Sequence, residues 1–280
     1  MPITDGHDMN ASSPEHVRVG SRDDASALLD TLRARLNAQY GKLAEQDRSR
    51  RELFAGISHD LRTPLTTLEG YLETLLIAPE RLDAETTRRY LSIAYRQSRR
   101  LQRLIGELFE LSRLESGELV PVREPFSPLE LAHDALQDVA MAAERRGVRL
   151  SVTPASVADD SLDVDADIAL VQRVFENLLG NALRYTGEGG TIGIALCRDE
   201  AARVRISVSD DGAGMRPEDA ARVFEPRFTP DPDARHDEER AGLGLAIVDR
   251  IVSLHGGRID VRNLSPSGCC FTVTLPAAPA

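Results

Sequence analysis

A histidine on the polar face of a predicted helix is the first candidate for chemistry in this sequence. An apolar stripe with spacings of three and four predicts the helix, and its members are Phe54, Ile57, Leu61, Leu65, Leu68, Leu72 and Leu75. His59 lies two residues from two of these, so its side chain is expected to face solvent. Asp60 is adjacent, and Thr63 follows one turn later on the same face. An exposed imidazole beside a carboxylate is a usable nucleophile near neutral pH, although a surface histidine on a coiled coil is the simpler interpretation.

Two asparagines one turn apart form the second candidate. Asn177 and Asn181 fall on one face of a predicted helix. Amide oxygens are hard, neutral ligands that suit Mg²⁺ when water and phosphate oxygens complete the coordination shell. Taken alone, such a pair is more typical of capping or surface hydrogen bonding.

A third candidate is an acidic turn that follows a predicted strand. Asp210 can accept a hydrogen bond from the exocyclic amine of adenine, and Gly212 and Gly214 allow the backbone to approach a ring closely. Further along the chain, Gly242 and Gly244 open a helix, where free N–H groups and the helix dipole favour phosphate. Each pattern alone is weak evidence. No G-x-x-x-x-G-K-[ST] motif is present, which excludes a P-loop site.

The N-terminal half must present the histidine on long helices. One helix is predicted from about residue 22 to 78 and a second from about 83 to 116, closed by Gly117. Pro64 is expected to bend the first helix. Both helices carry apolar stripes that two antiparallel helices alone cannot enclose. A four-helix bundle formed by two copies can enclose them.

The C-terminal half mixes helices with strands. Helices are predicted at 128–147, 166–185 (capped by Asp165) and 243–255, and strands at 148–152, 191–197, 204–208, 259–261 and 270–275. This order favours an α+β sandwich. The polar stretch 229–241 is typical of a lid or of a disordered segment.

The net charge, the apolar runs and the cysteines indicate which partners and which cellular compartment to expect. The net charge of −11 argues against general binding to nucleic acid or to an anionic membrane. No apolar run approaches the ~18–20 residues of a membrane span. Cys197, Cys269 and Cys270 lack metal-ligand spacing and are interpreted as reduced thiols, the last two in the core, which is typical of a cytosolic protein.

The segments SHDLRTPL, NLLGNALRY, DDGAGM, VFEPRF and GLGLAIV occur in this order, and together they resemble the sensor histidine kinase family. The resemblance runs from about Arg51 to Leu275. It implies an all-α hairpin that forms a dimeric four-helix bundle, followed by an α+β two-layer sandwich of the Bergerat type, similar to the ATP-binding fold of DNA gyrase and heat-shock chaperone ATPases.

The resemblance also implies roles for the candidate residues. His59 is expected to be the phospho-acceptor, Asp60 its general base or the group that orients the ring, and Thr63 a residue that positions water during dephosphorylation of a partner. Asn181, assisted by Asn177, is expected to hold Mg²⁺. The residues implied for ATP are Arg184 and Tyr185 at phosphate and ribose, Asp210 at adenine, and Gly212, Gly214, Gly242, Leu243, Gly244 and Leu245 around the pocket.

The expected organisation has five parts. Residues 1–20 are a disordered leader, 21–50 a signal-relay helix resembling the end of a HAMP-type relay or a coiled coil, 51–118 the dimerisation and phosphotransfer domain, 119–126 a linker, and 127–277 the ATP-binding domain. The linker is expected to let the ATP-binding domain swing onto the bundle. Two departures from the family pattern, Thr229 after VFEPRF and the run 239–241 before the second glycine motif, shift the expected closure of the lid to Arg235 or Arg240.

The function implied is an ATP-dependent protein histidine kinase. It would autophosphorylate His59, pass the phosphoryl group to an aspartate on the receiver domain of a response regulator, and could also act as its phosphatase. The alternatives are a plain ATPase of the same fold and a signalling scaffold without kinase activity. The expected location is the cytoplasm, either as a homodimeric soluble protein or as the cytoplasmic portion of an inner-membrane sensor.

Overall fold

The computed structural model describes residues 22–77, 82–154, 162–199, 201, 203–228 and 242–279. It divides into two units, Met1–Phe54 and Ala55–Ala280. Within the first unit, the described residues belong to a single helix, and the predicted leader 1–20 lies outside them. None of the described helices has an apolar stretch long enough to cross a bilayer.

Two long helices form the predicted hairpin. Helix α1 spans Arg22–Ile77 and continues through Pro64, and helix α2 spans Ala84–Ser116. Asp83 caps α2, because its carboxylate accepts a hydrogen bond of 2.6 Å from the Thr86 N–H. Gly117 ends α2 with φ +71°, a conformation that suits glycine. The predicted hairpin is therefore confirmed.

Only part of the apolar surface of α1 and α2 is buried, and α2 packs partly against a later helix, α6 (Gly244–Leu254). A short core is buried along it, including Ile57, Ala94, Leu104, Leu111 and Leu114. Tyr71 and Tyr90 pack edge to face, with ring centroids 4.9 Å apart. Other large apolar side chains on the same helices remain exposed, among them Leu65, Leu72, Leu76, Leu91, Tyr95, Ile105 and Phe109.

The predicted linker is partly incorporated into the C-terminal domain. Strand β1, Glu124–Phe126, pairs antiparallel with strand β3, Val164–Ala166. In addition, the Val122 N–H donates to the Asp167 carboxylate at 2.9 Å. A three-residue strand containing a proline carries no alternation to detect, so the sequence did not predict it. The stretch without such pairing shortens to about residues 117–121.

A five-stranded sheet carries the rest of the domain. Its strands are β2 (Arg149–Pro154), β4 (Thr191–Arg198), β5 (Arg203–Asp210), β6 (Arg258–Asn263) and β7 (Cys269–Pro276), in the order β2-β4-β5-β7-β6. Only the β2–β4 pair is parallel. The helices are α3 (Pro128–Arg145), α4 (Ile168–Tyr185), α5 (Pro217–Ala220) and α6 (Gly244–Leu254). Because α4 and α6 bury their apolar faces against the sheet, the two-layer α+β prediction is confirmed.

A buried histidine ties α6 to the start of α4. His255 is 1% exposed; its Nδ1 donates to the Ile251 carbonyl at 2.8 Å, and its Nε2 accepts from the Asp167 N–H at 3.0 Å. Asp167, not Asp165, caps α4, because its carboxylate accepts from the Leu170 N–H at 3.2 Å. Asp165 instead lies in β3, two residues before the cap, so the predicted cap was wrong.

We expect His255 to make folding sensitive to acid. Burial lowers the pKa of His255, and a proton on Nε2 would face the Asp167 N–H donor. The unfolded chain binds that proton below pH ~6.5, so this part of the free energy of unfolding is lost as the pH falls from there towards the folded pKa. Between about pH 7.5 and about pH 5.5 the loss should be at most ~1.4 kcal/mol.

Urea unfolding of the wild type and of His255→Gln at both pH values measures this loss. His255→Gln should have a lower free energy of unfolding than the wild type at both pH values. Its free energy of unfolding should, however, lack the loss that protonation of His255 causes. Substitution of the exposed His133 by Gln is the matched control. Equal pH dependence in the wild type and His255→Gln would contradict the assignment.

Candidate functional site

A cavity of about 380 Å³ opens between α4, α6 and the turn after β5. Its lining comes from five parts of the chain: Arg103 and Glu107 on α2; Arg173, Glu176, Asn177, Gly180, Asn181, Arg184 and Tyr185 on α4; Asp210 at the end of β5 with Gly214, Met215, Val223 and Phe228 after it; Gly242, Gly244 and Leu245 at the start of α6; and Cys269 and Phe271 on β7. The volume falls within the ~300–1,000 Å³ range of small-molecule sites. The structure thus brings the widely separated sequence motifs together.

Asp210 enters the cavity because it continues the inward side of β5. Alternate residues of this strand are buried, and Asp210 is the last of that series, 6% exposed. Its Oδ1 accepts from the backbone N–H groups of Gly212 (3.0 Å) and Cys269 (3.4 Å). Both bonds use the same oxygen, so Oδ2 is available to a donor from a ligand. Burial raises the pKa of Asp210, and the two backbone hydrogen bonds act in the opposite direction.

The glycines of this turn have different tasks. Gly214, at φ +75°, lines the cavity. Gly212 does not line it; a Cβ there would overlap the Tyr185 carbonyl, so glycine lets the turn pack against the end of α4. Gly268, which the sequence analysis missed, allows an equally close approach to the Asp210 carbonyl from the β6–β7 turn. Its positive φ of +102° left no pattern in the sequence.

Helix α4 presents the predicted asparagine pair to the cavity. The Asn177 Nδ2 donates to the Arg173 carbonyl at 2.8 Å, which fixes the amide and leaves Oδ1 towards the N-terminus of α6. A Cβ on Gly244 would lie 2.5 Å from this oxygen, so the two helices meet closely here. Asn181, Arg184 and Tyr185 also line the cavity.

The start of α6 brings three of the four residues predicted there to the cavity. Gly242, Gly244 and Leu245 line the cavity. The side chain of Leu243 is 1% exposed and packs in the core, and the binding role predicted for this residue stays a prediction. Successive residues at the start of a helix point in different directions. The Leu243 side chain can therefore face the core although its neighbours Gly242 and Gly244 line the cavity. The lid residues Arg235 and Arg240, and Thr229, lie outside the described part of the chain.

His59 stands on α1 as the apolar stripe predicts. Its side chain is 75% exposed, and its Nδ1 lies 3.3 Å from the Asp60 Oδ1. A carboxylate can only accept, so the imidazole Nδ1 carries the proton in this contact. The Thr63 hydroxyl donates to the His59 carbonyl at 3.4 Å. The role of Thr63 in dephosphorylation stays a prediction.

Charged contacts join the hairpin to the cavity domain, and no pattern in the sequence predicts them. Arg173 on α4 donates to both carboxylate oxygens of Glu110 on α2, at 3.1 and 2.6 Å. Arg227 contacts Asp60 at 2.9 Å. Glu107, one turn from Glu110, faces the cavity, and burial raises its pKa although Arg103 and Arg173 act against that shift. Single charges on a polar helix face give no periodic signal, which is why only the structure reveals these pairs.

The three cysteines are free thiols, as predicted. Cys269 lies in the cavity wall and is 6% exposed. Burial raises its pKa to about 11, with a further contribution from the neighbouring Asp210. The thiol is therefore protonated at neutral pH and is a poor nucleophile.

Two family models match the chain in order. Residues 49–117 match the His Kinase A (phospho-acceptor) domain, and residues 166–279 match the histidine kinase-, DNA gyrase B-, and HSP90-like ATPase. The first contains the hairpin with His59, and the second contains most of the cavity. Together the two models match more than half of the chain.

Whole-chain comparisons agree with the family models. Sensor-like histidine kinase SenX3 of Mycobacterium tuberculosis is 32% identical over 84% of this chain and 55% of its own. Adaptive-response sensory kinase SasA of Crocosphaera subtropica is 31% identical over 92% of this chain and 67% of its own. The chain spans about half the length of several curated relatives that it matches.

A solved structure shares the arrangement of both domains. Histidine kinase ThkA in complex with response regulator protein TrrA has a TM-score of 0.66 and 27% identity, over 81% of this chain and 62% of that one. A phospho-acceptor hairpin, an ATPase-type sandwich and relatives that cover nearly the whole chain thus converge, and this chain belongs to the sensor histidine kinases of two-component systems.

Proposed function

We propose that this protein is an ATP-dependent protein histidine kinase that phosphorylates its own His59 and passes the phosphoryl group to an aspartate of a response regulator. The observation that carries the proposal is the coexistence, in one structural unit, of an exposed His59–Asp60 pair and a cavity with the buried carboxylate of Asp210. A plain ATPase needs the cavity but has no use for the exposed pair.

The cavity suits ATP on chemical grounds. The free Oδ2 of Asp210 can accept the N6–H of adenine, and the N-terminus of α6, with Gly242 and Gly244, offers backbone N–H groups to phosphate. Arg184 and Tyr185 line the same cavity and are the residues that we assign to phosphate and ribose. The cavity thus offers an acceptor for adenine and donors for phosphate, the two kinds of group that bind a nucleotide.

Mg²⁺ fits the same face of α4. The amide of Asn177 is fixed through its nitrogen, which leaves an oxygen as a ligand, and Asn181 lines the cavity one turn later. Neutral oxygen donors beside phosphate are typical of Mg²⁺ sites. When bound, the ion would neutralise phosphate charge, while the chain itself fixes the nucleotide through Asp210 and the α6 N-terminus.

The histidine and its neighbour supply the acceptor chemistry. Asp60 holds the proton on Nδ1 of His59, which leaves the lone pair of Nε2 free to attack. As the Nε2–phosphorus bond forms, the bond from the γ-phosphorus to the bridging oxygen breaks and ADP leaves. The Nδ1 proton then passes to the Asp60 carboxylate, so the product is a neutral phosphoimidazole ring. In-line positioning, rather than covalent help, dominates such transfers.

The partner and the compartment follow from the same chemistry. A phosphoramidate is labile and can pass its phosphoryl group to a carboxylate, and the ThkA–TrrA complex supports a response regulator as acceptor for this chain. The use of ATP and the free state of the three cysteines support a cytoplasmic location. Transfer of label from the purified phosphoprotein to candidate receiver domains tests the partner class, and fractionation of cells tests the compartment.

We also propose that two copies pair through the hairpin. Several apolar residues on α1 and α2 are exposed, including Leu72 (41%), Leu91 (52%) and Phe109 (66%). Contiguous exposed apolar surface on a soluble domain marks an interaction site. Since both stripes run along the hairpin, a second hairpin is the occupant that covers them together, as a four-helix bundle.

The first test is autophosphorylation with [γ-³²P]ATP. The wild type should acquire an acid-labile, base-stable label that His59→Gln abolishes, because Nε2 of His59 is the acceptor. His133→Gln, on the surface of α3, should label normally. Label that persists in His59→Gln would exclude His59, and phosphate release without protein label would favour the plain ATPase.

The second test separates nucleotide affinity from turnover. Asp210→Asn should raise KM for ATP about 10-fold and leave kcat nearly unchanged, because adenine is bound equally in the ground and transition states. Asn181→Asp should lower kcat about 100-fold, since the metal matters most as phosphate charge redistributes. The measurement is the autophosphorylation rate against ATP concentration at saturating Mg²⁺. Full rescue of Asn181→Asp by ATP alone would remove it from the metal site.

The third test addresses the hairpin pairing. The wild type should have a dimeric mass by light scattering at micromolar concentration. Leu72→Asp should shift it to monomer, because a dimer would bury an unpaired charge. Met141→Asp introduces the same charge at an exposed apolar residue on α3, outside the hairpin, and should stay dimeric. A monomeric wild type would contradict the proposal.

A further inference from the structure

An arginine of the ATP-binding domain contacts the acid beside the phospho-acceptor. The Nε and Nη2 atoms of Arg227 donate to Oδ2 of Asp60 at 3.1 and 2.9 Å. The other oxygen of the same carboxylate, Oδ1, lies 3.3 Å from Nδ1 of His59. The carboxylate therefore bridges the guanidinium and the imidazole, one oxygen for each. Arg227 is 30% exposed and Asp60 27%, so water is partly excluded from the pair.

The backbone holds Arg227 at this place in a conformation that favours glycine. Its φ of +66° makes it the one described residue other than glycine with a positive φ. Such a conformation costs an L-residue roughly 1 kcal/mol and persists only where the surroundings enforce it. Here the Arg227 N–H donates to the Gly242 carbonyl at 2.7 Å. Gly242 and the next residue, Phe228, both line the nucleotide cavity, so the arginine is anchored to the cavity wall.

Helix α1 leaves room for the guanidinium at one position. A Cβ added to Gly56 would overlap Nη1 of Arg227. Glycine within a helix weakens it by about 1 kcal/mol relative to alanine, so its presence here goes with the docked side chain. Gly70, two heptads further along α1, provides a comparison on nearly the same face, because a Cβ added there would meet nothing within 4 Å.

We propose that Arg227 is a positioning residue for autophosphorylation. It binds Oδ2 of Asp60, which turns Oδ1 towards His59 and fixes the imidazole as the Nδ1–H tautomer with the Nε2 lone pair outward. The inference rests on the proposed function and adds to it a link from the nucleotide cavity to the acceptor. Arg227 also supplies a cation two positions before Thr229. Thr229 stands where this family commonly has a basic residue.

Stability is not what this contact provides. Ion pairs that retain exposure contribute about 0–1 kcal/mol to folding, so loss of Arg227 should leave the unfolding midpoint nearly unchanged. Its value lies in geometry, because a carboxylate anchored at one oxygen presents the other in a fixed direction. The opposite role is also physically possible: the guanidinium could hold Asp60 away from productive chemistry. The rate distinguishes the two.

Two substitutions remove the contact by different routes. Arg227→Gln removes the charge, whereas Gly56→Ala keeps it but places a methyl group where the guanidinium lies, and should also strengthen α1. We expect both to lower kcat for autophosphorylation about 10-fold, which is less than the roughly 10²–10⁴-fold of a group that transfers the proton itself, with KM for ATP changed less than about 2-fold. Arg227→Lys should recover part of the rate, because an ammonium keeps the charge but not the fork of two donors.

Matched controls exclude a general disturbance. Gly70→Ala makes the same change on α1 in open space, and Arg258→Gln removes an exposed arginine on β6 whose Nε lies 3.2 Å from the carboxylate of Asp260 on the same strand. Both should label at the wild-type rate. Circular dichroism should show that the control and test variants all keep their helical content.

A second readout is independent of the reaction. In ¹⁵N-histidine spectra, His59 should show the Nδ1–H tautomer in the wild type and a shift towards the Nε2–H tautomer in Arg227→Gln and Gly56→Ala. If the wild type fails to label His59 while the tautomer still shifts, the proposed function is wrong and the contact stands. Wild-type rates with unchanged spectra in both variants overturn the inference. Faster labelling of Arg227→Gln also overturns it and makes the contact a restraint.

Discussion

The buried carboxylate of Asp210 is the constraint on which the nucleotide cavity depends. A charge at 6% exposure is costly unless the backbone compensates, and here the N–H groups of Gly212 and Cys269 do so. Each of these donors requires a close backbone approach, from Gly212 against the end of α4 and from Gly268 against the end of β5. The turn, the last turn of α4 and the β6–β7 connection therefore assemble around one side chain. Because that side chain is fixed from the protein side, its remaining oxygen can recognise a ligand with little rearrangement.

The contact between the hairpin and the ATP-binding domain has a different character. Its described ion pairs, Arg173–Glu110 and Arg227–Asp60, are partly exposed, and side chains of α2 complete one wall of the cavity. Partly exposed pairs are individually weak and sensitive to salt. Helix α2 also packs against α6, so these ion pairs are only one part of the contact between the hairpin and the ATP-binding domain.

Much of this molecule could be predicted from the sequence because its strongest features are periodic or occur in recognisable order. The apolar stripe around His59 predicted that this histidine is exposed. The alternation of apolar and polar residues along β5 was visible up to Val208. The features that escaped have no such signal: β1 has three residues, Gly268 acts through a single backbone angle, and Leu243 lies one residue from two lining glycines but points to the core. Arg227 lies within the VFEPRF segment, yet its importance depends on a contact across 167 positions of chain. Tertiary partners, rather than local patterns, determine such roles.

The pairing of β1 with β3 has a consequence for the encounter between ATP and histidine. With Val122 and the residues after it bound to the sandwich, only about residues 117–121 connect the two domains freely. Five residues reach at most about 17 Å, so this tether keeps the nucleotide near the hairpin at all times. A short tether of this kind corresponds to an effective concentration in the millimolar range. In the proposed kinase, the frequency with which the nucleotide cavity meets the hairpin of its own chain is then set by the length of the tether rather than by the abundance of the protein.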